Sequence, residues 1–195
     1  STSNSQNTAL LGARIHRRLQ KQRGENYQKE YYLDLNLTLN GVDYLLHGRA
    51  DGVTLTDDGA SIEEIKTSET VFDQLSENTL TLYWGQVKLY AYLLMQKETD
   101  LDEVTLTLTY FQTNTETTTQ TDQVISRQAA KEFFDKVIAE YITWLKVRSD
   151  LRERRDPTIQ QLTFPFGHYR PGQRELAVAV YKTILTNKRL FAESP

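Results

Sequence analysis

The chain has 195 residues, 38% of them apolar, 10% aromatic and 25% charged, with a net charge of −3. That is one ordinary domain, or a domain with a piece of a second, and enough apolar side chain for a packed core. The absence of cysteine excludes disulfides, cysteine-ligated zinc and an iron–sulfur cluster within the chain, and fits a cytoplasmic protein. No apolar run reaches the roughly 18 residues of a membrane span, and no membrane partner is expected.

Residues 1 to 7 are polar and read as a flexible N-terminus. From Thr8 to Arg23, Leu10, Leu11, Ile15 and Leu19 recur at three- and four-residue spacing, which predicts a helix. The same stretch holds Arg14, Arg17, Arg18, Lys21 and Arg23, either a solvated helix face or a local basic patch that could meet nucleic acid despite the net acidity. Alternation over Tyr31 to Leu39 predicts a strand, Asn40-Gly41 a hairpin turn, and "VDYLLHGRADGVTL" the return strand. "DDG" at 57 to 59 turns the chain into a third strand, "ASIEEIKTS".

"TLTLYWGQVKLYAYLLMQKE" reads as a buried helix and "EVTLTLTYFQT" as a strand. The Thr-rich "NTETTTQTDQV" reads as a turn with a short edge strand. A long helix follows from Ser126, its N-cap, to Leu151. Residues 151 to 169, rich in charge and proline, form a linker, and "QRELAVAVYKTILTNKRLF" is a further helix. The expected class is α/β, a central mixed sheet flanked by helices.

Alternation puts Ile62, Glu64 and Lys66 on one face of the third strand, and Glu63 and Ile65 on the other. Asp51 ends the useful part of the preceding strand, and a short hairpin brings it beside them. Two carboxylates converging with a lysine suit a hard cation such as Mg²⁺, which can activate water and stabilise charge on a phosphate. A Glu-x-Lys pair alone is most often a surface ion pair. His16 on the first helix, and Gln86 and Tyr90 on one face of the second, are each, taken singly, ordinary core or surface residues.

Taken together, "GARIH" (12–16), "GRADGV" (48–53), "EIK" (64–66) and "QVKLY" (86–90) resemble the RecB-like branch of the PD-(D/E)XK nucleases, over about residues 8 to 150. The resemblance implies that fold and a DNA-cleaving enzyme acting on single strands or ends. His16, Asp51, Glu64 and the carbonyl of Ile65 would bind Mg²⁺ or Mn²⁺, with Mn²⁺ favoured by the mixed nitrogen and oxygen set. Lys66 would position or activate the attacking water, and Gln86 and Tyr90 would contact DNA or brace the site. Ala50 stands where the family name has proline, and the iron–sulfur cluster of some relatives is not expected here. The alternative is a non-catalytic DNA-binding module of the same fold, which the intact Asp51, Glu64 and Lys66 argue against. A domain with no nucleic-acid role is a more distant rival.

The tail "TFPFGHYRPGQRELAVAVYKTI" resembles the entry segment of superfamily 2 DNA helicases of the XPD/DinG type, with Arg170 and Gln173 in matching places. That implies an adenine-reading Gln173 and residues 170 to 195 as the start of a helicase domain in cis. "RLFAES" would be its first strand, cut before the phosphate loop, so that ATP binds only the full-length protein. With its one methionine at Met95, the sequence reads as a piece of a longer helicase–nuclease of DNA repair or recombination. The other reading of the tail is a helix packed on the nuclease.

Overall fold

A computed structural model describes residues 2–160, 168 and 170–186, with side chains described for 10–155, 168 and 170–186. The chain divides into two compact units, Ser1–Thr143 and Trp144–Pro195.

The first unit is built on a five-stranded sheet in the order β1-β2-β3-β4-β5. Its strands are β1 (Tyr27–Leu39), β2 (Val42–Thr56), β3 (Gly59–Ser68), β4 (Glu103–Gln112) and β5 (Thr117–Ser126). All neighbours are antiparallel except β3 and β4. A parallel pair needs a crossover, and helix α2 (Glu77–Lys97) supplies it, started by the Ser76 side chain accepting from Thr79 N. The β1–β2 hairpin closes through Asn40 and Gly41, both at positive φ (53° and 78°), as a two-residue turn of matching twist requires.

Alternation on the strands sends apolar groups to two separate clusters. Leu33, Val53, Ile62, Leu106, Val87, Leu94 and Met95 form the larger one, with Phe134 of α3 (Arg127–Gln160). The Tyr92 and Phe134 rings stack there at 4.1 Å. On the other face Ile65 and Phe111 meet Ile15 and Leu19 of α1 (Thr2–Gln20) in a smaller cluster. The sheet therefore lies between α1 on one face and α2 with the start of α3 on the other, the α/β architecture expected.

Several boundaries differ from expectation. Helix α1 begins at Thr2, where a flexible end was expected, since polar residues forbid a buried face but not a helix. It ends at Gln20, so Arg23 leaves the helix altogether. β1 starts at Tyr27, before Tyr31. The Thr-rich segment is a ten-residue edge strand rather than a short one, because β-branched threonines favour the extended chain whether or not they are buried. Ser126 does cap α3, accepting from Ala129 N at 3.2 Å. That helix continues to Gln160 through residues expected to be linker, since the Arg152–Arg155 run contains good helix formers.

In the second unit α4 (Gln173–Leu185) follows Gly172, held at φ 77°. The expected strand "RLFAES" lies outside the described residues. No helix among the described residues is long and apolar enough to cross a membrane.

Candidate active site

The site begins at a break in the sheet. The β1–β2 ladder runs to Lys29↔Gly52 and resumes at Tyr31↔Ala50, so neither Glu30 nor Asp51 has a partner in it. Glu30 sits at φ 53°, which marks a local distortion of β1. The β2–β3 ladder also stops at Gly52↔Glu63, so Asp51 is unpaired on both sides. Side chains replace the lost backbone bonds. Gln20 of α1 donates to the Asp51 carbonyl at 2.9 Å, and Asp51 Oδ2 accepts from Ile65 N at 2.7 Å. The carboxylate thus sits against the backbone of the residue between Glu64 and Lys66.

Helix α1 closes the site from one side. His16 Nδ1 lies 3.0 Å from Asp51 Oδ1. The helix can approach because Gly12 has no side chain: a Cβ there would lie 3.3 Å from Thr67 Oγ1. From the other side α2 contributes Gln86. Lys66 Nζ donates to Glu64 Oε1 at 2.6 Å and to Gln86 Oε1 at 2.8 Å, and Gln86 Nε2 reaches the Tyr90 hydroxyl at 3.3 Å. Tyr90 lies across Gly48, where a Cβ would be 2.6 Å from its ring. The Lys66 ammonium also stands 5.1 Å from the centre of the Tyr83 ring. His16, Asp51, Ile65, Glu64, Lys66, Gln86 and Tyr90 therefore form one connected set.

Residues 4–170 match the family described as the PD-(D/E)XK nuclease superfamily. The chain belongs to that superfamily. Two solved structures align with it. SSO0001 is 18% identical with a TM-score of 0.47, over 68% of this chain and 60% of its own. A candidate exonuclease from Eubacterium rectale is 16% identical with a TM-score of 0.38, over 63% and 46%. The chain thus spans less than two thirds of either. No curated protein matches it.

PD-(D/E)XK nucleases generally use divalent metal ions, and the donor chemistry here suits one. The Asp51 and Glu64 carboxylates and the His16 imidazole are close enough to feel one another's charge, and Glu64 is pushed up to about 7, first by burial and then by the Asp51 charge, a repulsion that a cation relieves. His16 is raised, chiefly by its hydrogen bond to Asp51. Among the described residues no three acids or histidines form a ready coordinating group. In this arrangement the ligand candidates satisfy one another instead.

That arrangement carries a pH signature in the metal-free protein. Glu64 is 4% exposed and keeps its proton to about pH 7 in the fold, against an ordinary 4.5. Between those values the folded state binds more protons than the unfolded one. The stabilisation is complete below about pH 4.5 and is lost as the pH rises through about 7. His16, also raised, acts with the same sign. At 1.36 kcal/mol per unit the Glu64 share is roughly 3 kcal/mol at most. Urea denaturation in EDTA should show the parent more stable at pH 5 than at pH 8, with much of the difference gone in Glu64→Gln. An equal difference in both proteins would refute this account of Glu64.

Sequence reasoning missed Gln20 and Glu30, which form a hydrogen bond at 3.2 Å beside the break. It also left Glu63 without a role. Glu63 is 5% exposed, on the α1 face of the sheet, and receives both Arg23 Nε and Nη2, the Tyr27 hydroxyl and the Thr109 hydroxyl. Two adjacent acids in a strand were the available signal, since they cannot both face water when the sheet is covered on both sides. Gln173 belongs to the second unit, where its Oε1 accepts from Arg170 N at 3.1 Å.

Proposed function

We propose that this PD-(D/E)XK protein is a metal-dependent deoxyribonuclease whose cleaving residues are Asp51, Glu64 and Lys66. His16 and the Ile65 carbonyl complete the protein ligands. The observation that carries the reading is the convergence at β3: Asp51 holds Ile65 N at 2.7 Å while Lys66, one residue on, is fixed between Glu64 and Gln86 at 2.6 and 2.8 Å.

Asp51 and Glu64 hold the cation, Mg²⁺ or Mn²⁺, whose chemistry when bound is to activate water and stabilise charge on the scissile phosphate. Lys66 donates to the attacking water and sets its line of approach, which its two acceptors favour by removing the rotamer freedom of a four-carbon stem. Gln86 aims Lys66, and Tyr90 steadies Gln86. Both present donors to a phosphate oxygen once DNA is seated.

The RecB-like branch, a helicase in cis from residue 170, adenine reading by Gln173 in the full-length protein and a role in DNA repair extend this proposal. They rest on the order of the four motifs and on the Arg170 to Gln173 segment. The deciding experiment is cleavage of labelled single-stranded, blunt duplex and closed circular DNA with Mg²⁺ and with Mn²⁺. Cutting should need the cation and be faster with Mn²⁺, with single strands cut before blunt duplex. Equal rates on a closed duplex circle and a linear single strand would remove the strand and end preference. Metal-independent binding without cutting would favour the non-catalytic module.

A further inference from the structure

Helix α1 offers the site more than His16. Arg14, Arg18 and Lys21, with Leu11 and Ile15, line a cleft of about 640 Å³ against Phe111, Thr113 and Glu116 of the β4–β5 corner. Arg17 lines this cleft and also a neighbouring one of about 610 Å³ that contains His16, Gln20 and Asp51. Arg17 therefore stands between the basic cleft and the site.

Three of the four charges in the basic cleft are uncommitted. Arg14, Arg17 and Lys21 are exposed, and none has an acidic partner among the described residues. Arg18 rests 4.9 Å over the Phe111 ring and 4.0 Å from Glu116, whose side chain is 73% exposed. Such a surface pair is screened by water and holds little. Four cations thus face one loosely held acid, in a chain whose net charge is −3.

Spacing and residue type indicate the ligand. Arg14 to Gln20 rises about 9 Å at 1.5 Å per helical residue, with Lys21 just beyond, which matches about three steps of the 3.4 Å axial rise per charge on one strand of duplex DNA. Three of the four are arginines, whose planar fork takes two phosphate oxygens at once. We propose that this cleft is a phosphate track that holds a DNA strand by its backbone beside the site, with Arg17 the step between track and site. The proposal rests on the nuclease reading.

The test is binding of a fluorescent single-stranded oligonucleotide in EDTA, where no cutting occurs, at several salt concentrations. The proteins are the full chain and the triple variant Arg14→Gln, Arg18→Gln, Lys21→Gln, which keeps side-chain stems over Phe111 and leaves Arg17 in place. Each phosphate contact contributes about −0.7 to the slope of log affinity against log salt. The variant should bind tenfold or more weakly with a slope shallower by about 2, while calorimetry shows unchanged Mn²⁺ affinity. A lysine-only version, Arg14→Lys with Arg18→Lys, should recover most of the slope. A parent that cuts DNA alongside a variant with the parental slope would overturn the track and leave the nuclease standing. A parent that neither binds nor cuts DNA would end both readings. A variant with parental DNA binding that no longer binds polyglutamate would assign the cleft to an acidic polypeptide and overturn the proposal.

Discussion

Asp51→Ala and Lys66→Ala should each cut DNA more slowly by about 10²- to 10⁴-fold, for Lys66 the range for a positioned group acting on the attacking water and for Asp51 a comparable loss through weakened cation binding. The two should fail for different reasons, and calorimetry separates them. Asp51→Ala removes an anionic ligand candidate and frees Ile65 N and His16, so Mn²⁺ affinity falls with the rate. Lys66 binds no cation, so Lys66→Ala should keep or strengthen Mn²⁺ binding while its rate collapses even at saturating metal. Melting curves must show both variants folded, which their partly exposed side chains favour. If both cut DNA like the parent under saturating Mn²⁺, cleavage belongs elsewhere in the molecule.

What the sequence disclosed of this site follows from periodicity. A strand alternates with period two, so Glu64 and Lys66 had to share a face, and helix spacing had to align Gln86 with Tyr90. Asn40-Gly41 fixed the hairpin and thereby the neighbourhood of Asp51. The means by which Asp51 turns into the site was not legible. It depends on a simultaneous failure of two ladders, and the bond that makes good the loss comes from Gln20, 31 residues away. Local propensity says nothing about such a partner.

The basic run on α1 was legible only as a list of cations. Arg23 was counted among them, yet it turns inward to Glu63, while Arg14, Arg17 and Lys21 stay exposed. The difference lies in where α1 ends. The helix stops at Gln20 and the next turn carries Arg23 toward the sheet, and no three- or four-residue pattern encodes that exit. Element ends were likewise hard to place where the sequence is polar, at Thr2 and beyond Leu151, because the apolar stripe that announces a helix disappears before its hydrogen bonds do.

The buried acid behind the site leads to the last expected result. Glu63→Ala should destabilise the fold by roughly 3 kcal/mol, the lower end of the cost of removing one partner from a buried ion pair, because the Arg23 side chain is 26% exposed and regains some water. Arg23 would keep its charge with no anion, and the Tyr27 and Thr109 hydroxyls would lose their acceptor. For a chain of this size that corresponds to a melting temperature lower by on the order of 10 °C. The arrangement leaves no room for adjustment. To reach Glu63 at 2.7 Å the Tyr27 ring lies over Gly52, where a Cβ would come within 1.9 Å of it. Gly52→Ala should therefore displace the ring and reproduce part of the loss without touching a charge. Because Arg23 follows α1 directly, the same clasp anchors the helix that presents His16. At a temperature where Glu63→Ala is still folded, its Mn²⁺ affinity should fall, though Glu63 faces away from Glu64. Thermal melts of Glu63→Ala, Glu63→Gln and Gly52→Ala decide the matter, and a Glu63→Ala protein that melts within 2 °C or so of its parent, a shift worth about 1 kcal/mol or less, would overturn the clasp as a main support of the fold.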